Sequence, residues 1–372
     1  MSTTLCRPRT RSTATILWAL LVTAAVAVVG CGNDDVPVAR ERAKAGAGAL
    51  PYDTLSEYGF FQGDMALHQP AAGVVPYDVA AALWSDHAAK KRFIVLPQGE
   101  TAAWGPDEDW VLPLGSIIIK AFDFPLDRRD PASATRVIET RLLILEEAGW
   151  TSHTYVWDDA QTEARRVIAG KSVAVSYLDE QGAAVDQTYL VPNTNQCKSC
   201  HERDDTSYLL GVTTPQVNRK VVRDGQEVEQ LEWLAAQGVF ASAPPVEGAA
   251  RFEDPFGDGP LDARARSYLA ANCSHCHRPG GGGGDSGLVL LESEKTPGKN
   301  GVCKTPAAAG SGTGGRSHDI VPGEPDQSII IFRMSSTDPE VKMPELPNLL
   351  PDERGVALIR EWIAAMEPKG CP

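Results

Sequence analysis

The sequence predicts an α+β chain: a β-rich, sandwich- or barrel-like domain over residues 51–195, a short segment over 196–245, a linker over 246–260 and an all-α domain over 261–368. Three observations carry this expectation. Short runs of β-branched and aromatic residues recur through the first half of the chain. Amphipathic helical patterns open and close its last third. Two copies of one pattern, Cys-x-x-Cys-His, stand at 197–201 and 273–277.

The elements follow in order. Arg7, Arg9 and Arg11 precede "ATILWALLVTAAVAVV", a 16-residue apolar run ending at "GCG". A basic region before an apolar run too short to span a bilayer comfortably reads as a secretory signal over residues 1–30. The ending "VVGC" is similar to a bacterial lipobox, which would make Cys31 the lipidated N-terminus of the mature chain; an uncleaved anchor or ordinary cleavage nearby are the alternatives. Acyl chains at about 0.8 kcal/mol per buried CH₂ would hold such a chain on a membrane. Gly32, where an aspartate would resemble an inner-membrane retention signal, favours the outer membrane over the inner. The basic region has no twin arginine, which fits export in an unfolded state. Residues 31–50 are small, polar and charged, and read as a tether.

Composition is that of a soluble globular protein, with 42% hydrophobic and 23% charged residues. Removal of the signal leaves 32 basic against 49 acidic residues, a net charge of −17. That surface argues against nucleic acid and anionic lipid, and for a basic or neutral docking partner.

Over 51–195 the runs "RFIVLP", "GSIIIKAFDF", "RVIETRLLIL", "HTYVWDD", "KSVAVSYLD" and "QTYLVPN" predict strands, punctuated by Pro, Gly and Asp. "EEAGW" and "DEQGA" predict hairpin turns. The first Cys-x-x-Cys-His unit follows across Pro192 with no amphipathic helix leading into it. "QEVEQLEWLAAQG" then predicts a helix burying Val228, Leu231 and Leu234.

Cys-x-x-Cys-His is the attachment signature of c-type haem. Cys197 and Cys200, and likewise Cys273 and Cys276, would each bond a porphyrin vinyl group, and His201 and His277 would become proximal iron ligands. The competing readings are a redox pair or half of a zinc site; a zinc site joining the units would use four thiolates and leave both histidines idle. Two covalently attached haem c groups are therefore expected. His275, inside the second unit, reads as a spacer.

The second unit is framed as an all-α cytochrome c domain. "LDARARSYLAANC" puts Leu261, Ala265, Tyr268 and Leu269 on one face. "PDERGVALIREWIAAMEPKG" is capped by Asp352 and puts Val356, Ile359, Trp362, Ile363 and Met366 on one face, with Tyr268 and Trp362 placed for their contact. The glycine-rich stretches between them neither follow a strand nor open a helix, so they read as loops rather than phosphate cradles. Met343 in "KMPELP", 66 residues after His277, is the expected distal ligand of the second haem; Met334 is its rival. No methionine or histidine lies between His201 and Cys273. The first haem must take its distal ligand from Met65, His68, His87, His153 or His318, or keep an open position.

Cys303 and Cys371 are left over, either paired in an oxidising compartment or free. The stretches "YLVPNTNQCKSCHE", "RARSYLAANCSHCHRPGG", "VCKTPAAAGSGTGG", "DIVPGEPDQSIIIFRMSS", "MPEL" and "GVALIREWI" resemble a group of di-haem c-type lipoproteins of Gram-negative bacteria without an assigned substrate. The resemblance covers about residues 54–366. It implies haem attachment at the four motif cysteines, proximal His201 and His277, and distal Met343.

The sequence thus points to a periplasmic, membrane-anchored di-haem cytochrome c that transfers electrons to a redox partner protein in the periplasm or membrane. The alternative is a di-haem peroxidase-like oxidoreductase with an open site at the first haem. A binding lipoprotein whose β domain grips another protein is a third class.

Overall fold

The computed structural model describes residues 50–106, 109–130, 132–307, 309–345 and 348–372. The expected signal, the tether up to residue 49 and Cys31 lie outside the described residues.

Alternating side chains build the main sheet. Strands β1 (Val74–Pro76), β2 (Ala89–Val95), β3 (Ile117–Pro125), β4 (Thr135–Glu146), β5 (Gly149–Trp157) and β6 (Ala164–Val167) form an antiparallel meander in that order. Successive residues point to opposite faces. Phe93, Ile119, Leu142 and Tyr155 lie on one face, buried against Leu55, Tyr58, Phe60 and Phe61 of the chain that enters the sheet. The other face carries two separate apolar clusters. At one end Ile94, Ile118 and Leu143 meet Val217, Leu231 and Leu234. At the other, Phe122, Phe124 and Val156 meet Val175, Tyr177 and Tyr189 of the hairpin β7 (Lys171–Leu178) and β8 (Ala184–Val191). The turns at "EEAGW" and "DEQGA" close hairpins, with Gly149 and Gly182 at φ of 109° and 82°, where a Cβ would be strained.

Beyond the sheet come α1 (Thr194–His201), the single turn α2 (Thr214–Val217), the hairpin β11 (Lys220–Arg223) and β12 (Gln226–Glu229), and α3 (Gln230–Ala236); a two-residue ladder, β9 (Glu202–Arg203) with β10 (Thr206–Ser207), precedes α2. The helix expected to begin near Gln226 begins at Gln230. Val228 belongs to β12, whose turn is set by Asp224 and Gly225 at positive φ.

The expected all-α cytochrome c domain over 261–368 is not evident. Its described residues hold three α-helices, α4 (Leu261–Asn272), α5 (Ile329–Met334) and α6 (Glu353–Ala364), joined by turns, loops and three single turns of 3-10 helix. The physical reason lies in the joining sequence. Glycine loses the most backbone freedom in a helix and proline cannot donate its ladder bond, and both crowd the stretches from 279 to 325. Nor is the segment a separate body: it belongs to the same compact unit as the sheet. The β-rich expectation for the first half stands.

Within that unit α4 and α6 do pack together. Tyr268 lies so close to Gly355 that a Cβ there would sit 2.1 Å from its hydroxyl, and Trp362 Nε1 donates to Asp262 at 2.9 Å. Two residues ahead of β2 join this segment to the sheet. Trp84 donates from N to Asn272 Oδ1 (2.7 Å) and from Nε1 to the Leu350 carbonyl (2.8 Å), while the Asp86 carboxylate accepts from Leu349 N and Leu350 N. Cys303 and Cys371 are joined as a disulfide. No described helix is long and apolar enough to cross a membrane.

Candidate functional site

The first Cys-x-x-Cys-His unit is helical because its start is capped on both sides. Asn193 accepts from Gln196 N, and Gln196 accepts from Asn193 N, each at 2.9 Å, which is a capping box. Helical spacing of three and four residues then puts Cys197, Cys200 and His201 on one face. That face lines a cavity of about 820 Å³. The cavity borders the first of the two apolar clusters over the sheet, and its walls include Tyr77, Ile118, Leu143 and Leu209. Its size lies within the range of cofactor sites.

The second unit is a turn. Cys273 ends α4, and Cys276 N and His277 N both donate to the Cys273 carbonyl, at 3.2 and 2.9 Å. The two units touch directly. Cys276 Sγ bonds the Ser199 carbonyl at 3.5 Å, Tyr208 Oη donates to the His275 carbonyl at 3.1 Å, and Asp204 N donates to the Gly280 carbonyl at 3.3 Å.

Both motif histidines are held in one tautomer. His201 Nδ1 lies 3.2 Å from the Tyr208 carbonyl, which can only accept, so Nδ1 carries the proton and Nε2 keeps its lone pair. His277 Nδ1 lies 3.2 Å from Ser286 Oγ, whose own proton goes to the Gly283 carbonyl at 2.6 Å; the serine oxygen accepts, and again Nε2 is bare. Burial, the larger cause in each case, brings both imidazoles down to about 4, with nearby Arg333 adding to the effect at His277. Near neutral pH each offers a neutral nitrogen, the form a metal accepts, with its ring oriented through the other nitrogen.

The thiols differ. Burial raises Cys197, and raises Cys273 to about 12. Cys200 and Cys276 share a hydrogen bond, which lowers Cys200 and raises Cys276, so the pair favours one thiolate rather than two. His275 joins them: its nitrogen and the two sulfurs lie within 4.8 Å of one another. By sequence His275 is a spacer, and its position in the chain carries no signal otherwise. Only the fold brings Cys200, 75 residues upstream, to it.

The remaining candidates are scattered. Met343 is half-buried, and its N donates to the Arg333 carbonyl at 3.1 Å; the same Arg333 bears on His277. Met334 is buried in the cluster of α4 and α6. His68 is buried beside Asp123 and Lys91, His87 stands edge-on to Trp84, and His318 Nε2 faces the Pro372 carbonyl. His153 borders the cavity, but it pairs with Leu142, on the face opposite Arg141 and Thr154, and its Nε2 meets Thr151 Oγ1 at 3.0 Å. Met65 is half-buried against the cluster behind the sheet.

No protein-family model, curated protein or solved structure matches the chain.

Proposed function

We propose that the chain is a protein of the c-type haem class. More particularly, we propose a periplasmic di-haem electron carrier of a Gram-negative envelope, tethered by lipid on Cys31 and serving a redox partner protein. One observation supports this above the others: each Cys-x-x-Cys-His unit holds its histidine neutral, Nδ1 protonated and Nε2 bare. A zinc site built from the thiols alone gives no reason for that arrangement.

Haem, when bound, supplies a one-electron iron couple. The chain's own residues would do the rest. Cys197, Cys200, Cys273 and Cys276 hold the group covalently. Tyr208 and Ser286 orient the two imidazoles, Tyr77, Ile118, Leu143 and Leu209 would give the group an apolar wall beside the first unit, and Met343 would offer its thioether to the iron of the second. Of Met65, His68, His87, His153 and His318 only His153 borders the cavity, from the opposite face of the sheet, so a high-spin signal from the first unit in both oxidation states would reverse the preference for electron transfer over peroxidase-like chemistry.

Intact mass of the full chain, exported with a haem-attachment system, should show two haem additions. Changing Cys197 and Cys200 to Ala should remove one of them, and changing Cys273 and Cys276 the other. Mass free of haem in the unaltered chain overturns the reading. Met343→Ala should open one iron to CO while Met334→Ala should not.

A second reading has an observation of its own. Cys200, His275 and Cys276 lie within mutual reach and are donors that suit a zinc-like ion. It leaves Cys197, Cys273, His201 and His277 without a role. Native mass with one zinc and no haem would establish it in place of the first.

A further inference from the structure

Strand register places three cations side by side. Arg92 pairs with Lys120 and Lys120 with Arg141, so β2, β3 and β4 present them in one row on the cavity face. Like charges directly opposite on neighbouring strands repel. Lys90, one step along the same face, adds a fourth. Phe122 sits among them, its ring centroid 5.7 Å from Lys90 Nζ, 5.2 Å from Lys120 Nζ and 4.3 Å from Arg141 Cζ.

Only one carboxylate answers this row directly. Glu139, fully buried, takes two bonds from Arg141 (2.6 and 2.9 Å) and one from Tyr189 Oη (2.7 Å). Lys90 donates to the Ala88 carbonyl, and burial first, then Arg92 and Arg141, push it well below its ordinary value against a smaller pull from Asp352 and Asp86. Among the described residues no acidic side chain lies within ion-pair distance of Arg92 or Lys120. Arg203, Arg251 and Arg278 line other walls of the same cavity, against Asp109 and Glu292. A protein of net charge −14 has thus gathered cations round one interior space. Burial and the neighbouring cations push Lys120 and Lys90 well below their ordinary values, so an anion bound against the row would favour its charged form.

We propose that Arg92, Lys120 and Arg141 form a binding site for a pair of carboxylates presented inside the cavity. Two sources share that chemistry: the propionates of a haem held by Cys197 and Cys200, or a free small dicarboxylate. The propionate form rests on the proposed function; the free-dicarboxylate form does not.

The test uses the full chain, Lys120→Met and Arg92→Gln. Lys120→Met keeps the apolar stem beside Phe122 and removes a repelling charge, so it is the variant best suited to fold. In the propionate form, removing a cation disfavours the reduced iron. Spectroelectrochemistry should then show one of two couples falling by about tenfold in its equilibrium constant, about 59 mV for one electron, with the other unchanged and added succinate without effect. In the free form, calorimetry should show saturable binding of succinate to the unaltered chain, weakened at least tenfold in either variant. A chain that binds no haem but binds succinate in this way removes the proposed function and keeps the site. Potentials unmoved by either variant, together with no succinate binding, overturn the site itself, whether or not haem is present.

Discussion

The two Cys-x-x-Cys-His units share a sequence pattern and almost nothing else. The first is a capped helix set on a β-sheet, with its cysteines and histidine turned toward a large, cation-walled cavity. The second is a turn at the end of α4, its Cys273 packed against the cluster of α4 and α6 and its histidine steadied by a serine hydroxyl. What they have in common is the state of the imidazole, reached through a carbonyl in one case and a hydroxyl in the other. The pattern alone does not fix that state; each set of surroundings supplies it by its own route.

Three further perturbations sharpen that contrast. The largest effect belongs to the first region. Glu139→Ala leaves Arg141 and Tyr189 buried without their shared acceptor, and should cost about 3–5 kcal/mol in urea unfolding. A loss under 1 kcal/mol would mean that the cationic wall does not need its one carboxylate. Next, Gly355→Ala strikes the second region alone. The added methyl meets the Tyr268 ring, at an expected cost of about 1–3 kcal/mol. Circular dichroism of the sheet should be unchanged, and a sheet that melts with it would show that the two regions unfold as one.

The smallest effect is a pH slope seated in the β region. His68 is pushed down to about 3, first by burial and then by Lys91, from an ordinary 6.5. The unfolded chain binds the proton that the folded chain refuses, so this contribution is complete above pH 6.5 and is lost as pH falls toward 3. At pH 5.5 the loss from this group should be about 1.4 kcal/mol. His68→Phe, facing Phe61, Phe93 and Trp157, should flatten the slope between pH 6.5 and 5. An unaltered slope would assign the acid sensitivity to other groups.

The strands were legible because alternation and turn chemistry are local: Ile117, Ile119 and Phe122 announce their faces within a few residues. The two Cys-x-x-Cys-His units were legible for the same reason. The cationic row was not, since Arg92, Lys120 and Arg141 stand far apart in the chain and become neighbours only through register. The meeting of Cys200 with His275 and Cys276 was equally out of reach. The helical domain was over-read. Two good amphipathic helices at its ends suggested a bundle, and the glycine- and proline-rich chain between them forms loops that lean on the rest of the molecule.

The contact of Asp86 with Leu349 and Leu350 spans 263 and 264 residues. A chain made from its N-terminus displays Asp86 early and must wait for almost its whole length before that carboxylate meets its partners. Both Cys-x-x-Cys-His units emerge within the interval. The clasp between sheet and C-terminal segment thus acts as a clock as well as a bond: until it closes, the thiols at 197, 200, 273 and 276 stand outside the finished fold, which leaves each of them half-buried.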